Sequence, residues 1–502
     1  MTSQHHEAPL TTTQLRRILQ ANYFTPGRQA SRGVHDPITD AQIANADRAW
    51  AETFRLAHGQ HPSQEARELR ELASQTTWGA CPVLVLGPPG VGKTAIGEGY
   101  ANSLGLVANT TIASQNQPED VGGYAIPDLE GRRMMRLPDT WIDRVNAARD
   151  GAVQCFDELT TADESMMAAL LRVFSDRAAG DRLLNPRVRL IAFGNRPGEA
   201  PNARTLDPAA ANRFAHFTFE GSTSDDWVRW LTEELDQDTR VQDPNAVEAR
   251  VLREWPTAFG AAKSLVASFI KSRPQLLHAM VGGDENTRLR ADQPQSSGPW
   301  ASHRTWEVAT RALAGASIHG LTEMETQIWL RGIIGDVADE LMVYVKDADM
   351  PSISELLETK GKYTCRRTGK LTTWKHDAKR MDRTYAVVTA AAMAIRDSAP
   401  SASSDKAATA DLRDKADWLF GLLLTVGAKA PDMVVRPAHT LVSSGFTAES
   451  PEMARERAAD PSKHLWAFAD PKGAKSNARR VLEEIVQPLY EQLHGKQPSA
   501  TT

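Results

Sequence analysis

Short apolar runs and amphipathic stretches alternate in one part of the chain only. Pro82–Leu86, Val107–Ala113, Ala152–Phe156, Arg187–Phe193 and Phe214–Phe219 are short and rich in Val, Ile, Leu and Phe. Their brevity and branched side chains predict strands. Between them lie helical stretches such as Gly92–Leu104 and Thr161–Ser175. Strands alternating with helices predict a mainly parallel α/β sheet covered on both faces. The run Pro82–Leu86 is too short to span a membrane, and no transmembrane segment is expected.

Beyond Glu220 the strand pattern stops. Helical patterns continue through Asp225–Glu234, Asn245–Arg253, Pro256–Lys271, His303–Ala316 and Glu323–Val345. The polar, Gly- and Pro-containing stretch Gly282–Pro299 reads as a loop, and Ser398–Ser404 as a linker. Ahead of the strands, Leu15–Leu19, a helix capped at Thr39-Asp40 and running to His58, and Ser63–Ala73 suggest a helical arm. The last residues, Gln497–Thr502, are expected to be disordered.

Composition narrows the function. In 502 residues, 63 acidic and 58 basic side chains leave a net charge of −5. That argues against a generally basic nucleic-acid binder but leaves room for a local basic channel. The three cysteines, Cys81, Cys155 and Cys365, form no C-x-x-C pair, which argues against a zinc site or a disulfide framework. This usage fits a reducing setting. Met1–Pro9 lacks a basic segment followed by an apolar one, so no signal peptide is expected and the expected location is cytoplasmic.

The sharpest chemical signal is Gly87-Pro88-Pro89-Gly90-Val91-Gly92-Lys93-Thr94, a full match to G-x-x-x-x-G-K-[ST] between a strand and a helix. Glycines let the backbone curl so that several N–H groups face one phosphate, and the following helix N-terminus adds partial positive charge. Lys93 would reach the β- and γ-phosphates, and Thr94 would offer its hydroxyl to Mg²⁺. The competing reading is a glycine-rich turn with an exposed lysine. A second signal is Val153–Glu158, an apolar strand ending in two carboxylates. At the carboxyl edge of a parallel sheet, Asp157 would hold the Mg²⁺ water shell and Glu158 would polarise an attacking water. The competing reading is a capping pair for the next helix.

In this order the motifs resemble those of the AAA+ ATPases, P-loop proteins that work as rings. Arg189–Asn195, a strand ending in Asn, is similar to the family's sensor 1. Leu206–Phe214 resembles the arginine-finger segment, and Ser302–Trp306 the start of a sensor 2 helix. Gln117–Gly123 resembles the MoxR-like branch in particular. Asn212 stands where that branch often has an acid, and His303 where sensor 2 often has proline.

The resemblance implies a P-loop AAA+ α/β fold. With the helical N-terminal arm (1–75), which matches nothing in the family, the expected divisions are an ATPase core (76–222), a helical lid (223–350) and an α-helical C-terminal region (351–502). It implies ATP and Mg²⁺ as ligands, with ATP at the interfaces of a homo-oligomeric ring, expected to be a hexamer. Glu158, Asn195, Arg213 and Arg304 would be catalytic. A protein substrate, with a von Willebrand factor A-type partner, would be remodelled or activated.

Bottom-up, Asn195 can orient a water through its amide, or simply form a turn before Arg196-Pro197. Arg213 can stabilise charge on a neighbouring subunit's γ-phosphate, or make a surface salt bridge. Arg304 can be a solvated residue in a first helical turn. Val121–Pro127 and Arg132–Leu137 flank a short turn and predict a hairpin, either facing a central pore or packed on the sheet. Its arginines keep open the alternative of a nucleic-acid-translocating motor.

Overall fold

In the computed structural model, strand β1 (Val83–Leu86) is entirely apolar, and it sits inside a five-stranded parallel sheet. The structure describes residues 10–28, 67, 71–73, 75–148, 150–232, 241, 243–281, 288–348, 351, 353–365, 369–376, 381–402, 405–460 and 462–489. The expected helix from Thr39 to His58 and the terminal Gln497–Thr502 lie outside these residues. Of the expected helix Ser63–Ala73, residues 67 and 71–73 are described and are helical.

After the helix α1 (Thr12–Tyr23) and β1 come α2 (Lys93–Ser103), β2 (Val107–Ile112) and the short α3 (Pro118–Gly122). A hairpin follows, β3 (Tyr124–Asp128) with β4 (Arg133–Leu137), then α4 (Trp141–Ala147), β5 (Ala152–Asp157) and α5 (Glu164–Asp176). A small hairpin, β6 (Ala178–Ala179) with β7 (Arg182–Leu183), leads to β8 (Val188–Gly194), α6 (Pro208–Ala211) and β9 (Ala215–Thr218). The sheet order is β2-β5-β8-β1-β9, with every pair parallel.

Position in the sheet explains strand composition. The central β5 and β8 are buried almost throughout, while the edge strands β2 and β9 carry Asn, Thr and His. One polar side chain inside the sheet, Gln154, is satisfied by Asn109 and Thr111 of the neighbouring strand, at 2.7 and 3.1 Å. Side chains alternate between faces. Phe156, Leu190 and Ala192 join the core formed with α4 and α5, whereas Cys155 and Phe193 meet Gly97 of α2 on the other face. On the first face Trp141, Phe156, Phe174 and Phe214 form a chain of edge-to-face ring pairs with centroids 4.6–5.6 Å apart.

Beyond the sheet come α7 (Ser224–Leu231), α8 (Pro244–Ser272), α9 (His303–His319), α10 (Glu323–Ile334) and α11 (Val337–Ala348). The two helices expected on either side of residue 254 are one, because Pro256 is accommodated inside α8. The single helix expected over Glu323–Val345 is two. Gly335 breaks it with φ +68°, packed so closely on Pro299 that a Cβ would lie 2.6 Å from its carbonyl oxygen. Gly282–Pro299 contains a 3-10 turn at Pro294–Ser297, and residues 282–287 are not described.

The chain divides into two compact units, Met1–Arg253 with Gln275–Ala338, and Glu254–Pro274 with Asp339–Thr502. This partition differs from boundaries drawn at 222 and 350: residues 223–253 and 275–338 group with the sheet, and the division falls within α8. The second unit holds α12 (Ile353–Glu358), the strand pair β10 (Lys362–Thr364) and β11 (Leu371–Thr373), α13 (Met381–Ala402), α14 (Lys406–Gly427) and α15 (Asp432–Ser443). The region after Glu220 is mainly helical, as expected, with this short strand pair as an exception to the stop of strands there. Residues 398–402, expected as linker, continue α13. Val387, Ile395, Phe420, Leu423, Val434 and Phe446 centre this unit's core. No described helix is long and apolar enough to cross a membrane.

Candidate functional site

The chain leaves β1 at Leu86 and turns through Gly87, which abuts the segment following β9 so closely that a Cβ would lie 1.9 Å from the Phe219 oxygen. Gly90 and Gly92 take φ values of +81° and +86°, a region costly for residues with a Cβ. The loop therefore curls and delivers α2 at Lys93. First-turn N–H groups of a helix have no intrahelical acceptors and suit an anion. Lys93 lies back across the loop, its Nζ donating to Gly87 O at 2.8 Å, Pro88 O at 2.7 Å and Asn195 Oδ1 at 3.0 Å. Burial lowers its pKa, opposed by the carboxylates of Asp157 and Glu199.

Strand order brings the remaining groups to this loop. β5, β8 and β1 are successive neighbours, so their carboxyl ends present Asp157, Asn195 and the loop side by side. The Thr94 hydroxyl donates to Asp157 Oδ2 at 2.5 Å. The Asn195 N–H donates to Thr160 Oγ1 at 2.9 Å, which aims the side chain at Lys93. Glu158 is exposed and holds a left-handed backbone, φ +56°. Its N–H donates to Asp157 Oδ1 at 2.7 Å, and its carboxylate accepts from the Ser114 hydroxyl. A non-glycine residue in this region stores strain, which often marks a functional position.

Arg213 and Arg304 are not part of this cluster. Ala215 pairs with Val83 and its N–H donates to Pro82 O, so Arg213 lies at the amino end of β1, whereas the phosphate loop follows its carboxyl end. Arg304 belongs with Arg213. Ser302, the N-cap of α9, donates to Asn212 Oδ1 at 2.7 Å, and Asn212 Nδ2 donates to Trp300 O at 3.1 Å. Burial lowers the Arg213 pKa, and the nearby charge of Arg304 lowers it further. Arg213 donates to Ala209 O, and its Nε is buried without a partner.

Sequence reasoning missed Ser114, Thr160 and Glu199. Ser114 follows β2, whose Ile112 pairs with Asp157; only that strand pairing puts it beside Glu158. The hairpin β3–β4 pairs Ile126 with Met135, and exposes Tyr124, Ile126, Leu129 and Met134. The Tyr124 hydroxyl donates to Asp120 Oδ1 at 2.9 Å.

Hard oxygen donors on Thr94 and Asp157, beside a lysine and a helix N-terminus, fit a magnesium nucleotide. Comparison with known proteins agrees with this geometry. Residues 82–214 match the family model of the AAA domain, dynein-related subfamily. That stretch is an AAA+ ATPase domain, a nucleotide-binding fold. No curated protein matches the chain. Among solved structures, a Cytophaga hutchinsonii protein described as a "putative ATPase" is similar at 12% identity and a TM-score of 0.32. The match covers 72% of this chain and 96% of that one.

Proposed function

We propose that the protein hydrolyses ATP with Mg²⁺, acts as a MoxR-like AAA+ ring, and uses the cycle to remodel or activate a protein partner. The observation that carries this reading is the joining of Lys93, Thr94, Asp157 and Asn195 by short hydrogen bonds at adjacent strand ends, with Glu158 beside them. In it, the loop Gly87–Thr94 wraps the phosphates and Lys93 leaves the loop carbonyls to pair with the β- and γ-oxygens. Thr94 and Asp157 would hold Mg²⁺, which supplies charge neutralisation between the phosphates. Glu158 accepts a proton from the attacking water, and Asn195 orients that water. Arg213 and Arg304 lie away from their own chain's loop, which suits a hexamer in which they serve the next subunit's ATP.

A von Willebrand factor A-type protein is the proposed partner class. The nucleic-acid motor remains the second reading, favoured by Arg132, Arg133 and Arg136 on the exposed hairpin; ATPase stimulation by DNA at low salt, lost at high salt, tests it.

Glu158→Gln tests the central assignment. It keeps the shape and removes the basicity, so nucleotide affinity should persist while turnover falls by roughly 10²–10⁴-fold. Steady-state ATPase rates beside nucleotide titration measure both, and near-normal turnover would overturn the assignment.

A further inference from the structure

The second unit carries a charge run that the ATP-binding site does not use. From Thr359 to His376 the chain holds six Lys or Arg and no Asp or Glu, in a protein of net charge −5. A run of like charge is commonly a solvated face, so its placement decides what it can do. Here it folds as the antiparallel pair β10–β11, with Lys362 opposite Thr373, Tyr363 opposite Thr372 and Thr364 opposite Leu371.

The hairpin is anchored from within. Tyr363, Cys365 and Trp374 are buried in the unit's core. Arg383 Nη2 donates to the Tyr363 hydroxyl at 2.8 Å, and the Trp374 N–H donates to Gly361 O at 2.8 Å, one residue beyond the ladder. Thr364 donates from its N–H and its hydroxyl to Glu355 Oε1, at 3.0 and 2.7 Å. With its aromatic rings inside, the hairpin presents Lys362, Lys370, Leu371, Thr373 and Lys375 to solvent. Lys360 pairs with Asp414 at 3.1 Å, whereas Lys362 and Lys375 make no ion pair among the described residues.

Residue type selects the partner. Protein–protein interfaces are depleted in Lys and centred on aromatic or apolar anchors. On the described part of this hairpin Leu371 alone is large, apolar and exposed. Phosphate contacts, by contrast, come from Lys and Arg with Ser or Thr hydroxyls. No exposed ring is present on that part to stack an unpaired base, which single-strand binders use. Lys370 and Lys375 stand at the two ends of β11, about 17 Å apart along an extended strand. That length matches about five steps of one duplex strand.

We propose that the exposed face of β10–β11 binds the phosphate backbone of a nucleic-acid duplex without reading its sequence, through Lys362, Lys370 and Lys375 with the Thr373 hydroxyl. This binding needs neither nucleotide nor turnover, and it uses none of the arginines of the β3–β4 hairpin.

The test is fluorescence anisotropy of labelled DNA and RNA duplexes of arbitrary sequence, titrated with the nucleotide-free full chain. Three phosphate contacts give a log–log slope near −3, so affinity should fall roughly 40-fold between about 50 and 200 mM salt. Changing Lys362, Lys370 and Lys375 together to Gln should weaken binding at low salt about tenfold or more and flatten the slope. The same three changed to Arg should bind as the native protein does. All three side chains are exposed, so Tm should change little. If the triple variant fails to fold, Lys362→Gln alone should reduce the slope by about one. The tighter of the two duplexes identifies the ligand. Binding that survives the Gln variant, or that is lost instead when Arg132, Arg133 and Arg136 become Gln, overturns the hairpin as the site. Equal affinity for a poly-glutamate peptide, or tighter binding of a single strand, overturns the duplex assignment. No binding at the lowest salt would leave the lysines as guards against edge pairing and overturn the proposal.

Discussion

At Asn212 the chemistry of a single amide does what an acid cannot. Its Nδ2 donates to the Trp300 carbonyl and its Oδ1 accepts from the Ser302 hydroxyl. A carboxylate in its place would keep the acceptor but turn a second acceptor toward the Trp300 carbonyl. Asn212→Asp should therefore loosen Arg213 from the start of α9, leaving ATP affinity intact and lowering turnover roughly tenfold at pH 8. Burial raises the pKa of the introduced carboxyl, and its protonated form can donate again. The repulsion is thus present above that pKa and relieved as pH falls through it. The turnover of this variant relative to the native protein should rise from pH 8 to pH 6, while Asn212→Ala shows no such trend. A flat ratio across that range would show that the amide does not position Arg213.

Elements carry two further expectations. The β3–β4 hairpin exposes Tyr124, Ile126 and Leu129 at 50%, 42% and 84%, so replacing all three with Ser removes little packing. If the hairpin grips a partner, basal ATPase should stay within about twofold while coupling to partner remodelling is lost; full remodelling activity in the triple variant would make the hairpin structural.

Strand β9 and helix α9 each carry a half-buried histidine. Burial lowers both His216 and His319 to about 4, with a backbone hydrogen bond opposing it in each case and Arg250 adding to the lowering at His319. A depressed folded-state pKa means that stability is fully present above the unfolded value near 6.5 and is lost as pH falls toward 4. Denaturant unfolding at pH 7 and pH 5 should show a clear loss at the lower pH. His216→Gln should blunt that loss, and an unchanged slope would count against a neutral imidazole at this position.

At the scale of the whole molecule, the decisive feature is that the phosphate loop and Arg213 sit at opposite ends of β1. A guanidinium on the γ-phosphoryl transition state is worth about 10³–10⁵ in rate, so Arg213→Ala should bind ATP and hydrolyse it poorly. Mixed with Lys93→Ala, it should regain activity, because a mixed ring can pair an intact loop with an intact arginine. ATPase rate against mixing ratio, after subunit exchange has been verified, measures this. No mixture exceeding the sum of its parts would exclude action between subunits, and a monomer with full turnover would exclude the ring.

Local pattern alone specified the five strands of the parallel sheet, the phosphate loop and the carboxylates at the end of β5, because each depends on neighbours a few residues away. An apolar run buried on both faces, a glycine pair with positive φ and a strand-end Asp-Glu are all written within short windows. The outcomes that needed the tertiary structure rest on long-range pairing. Ser114 reaches Glu158 only because β2 lies beside β5, and Asn212 meets Ser302 across ninety residues. The break at Gly335 depends on the approach of Pro299. A strand's pattern announces that a residue is inside, but only the folded chain decides which groups share that interior.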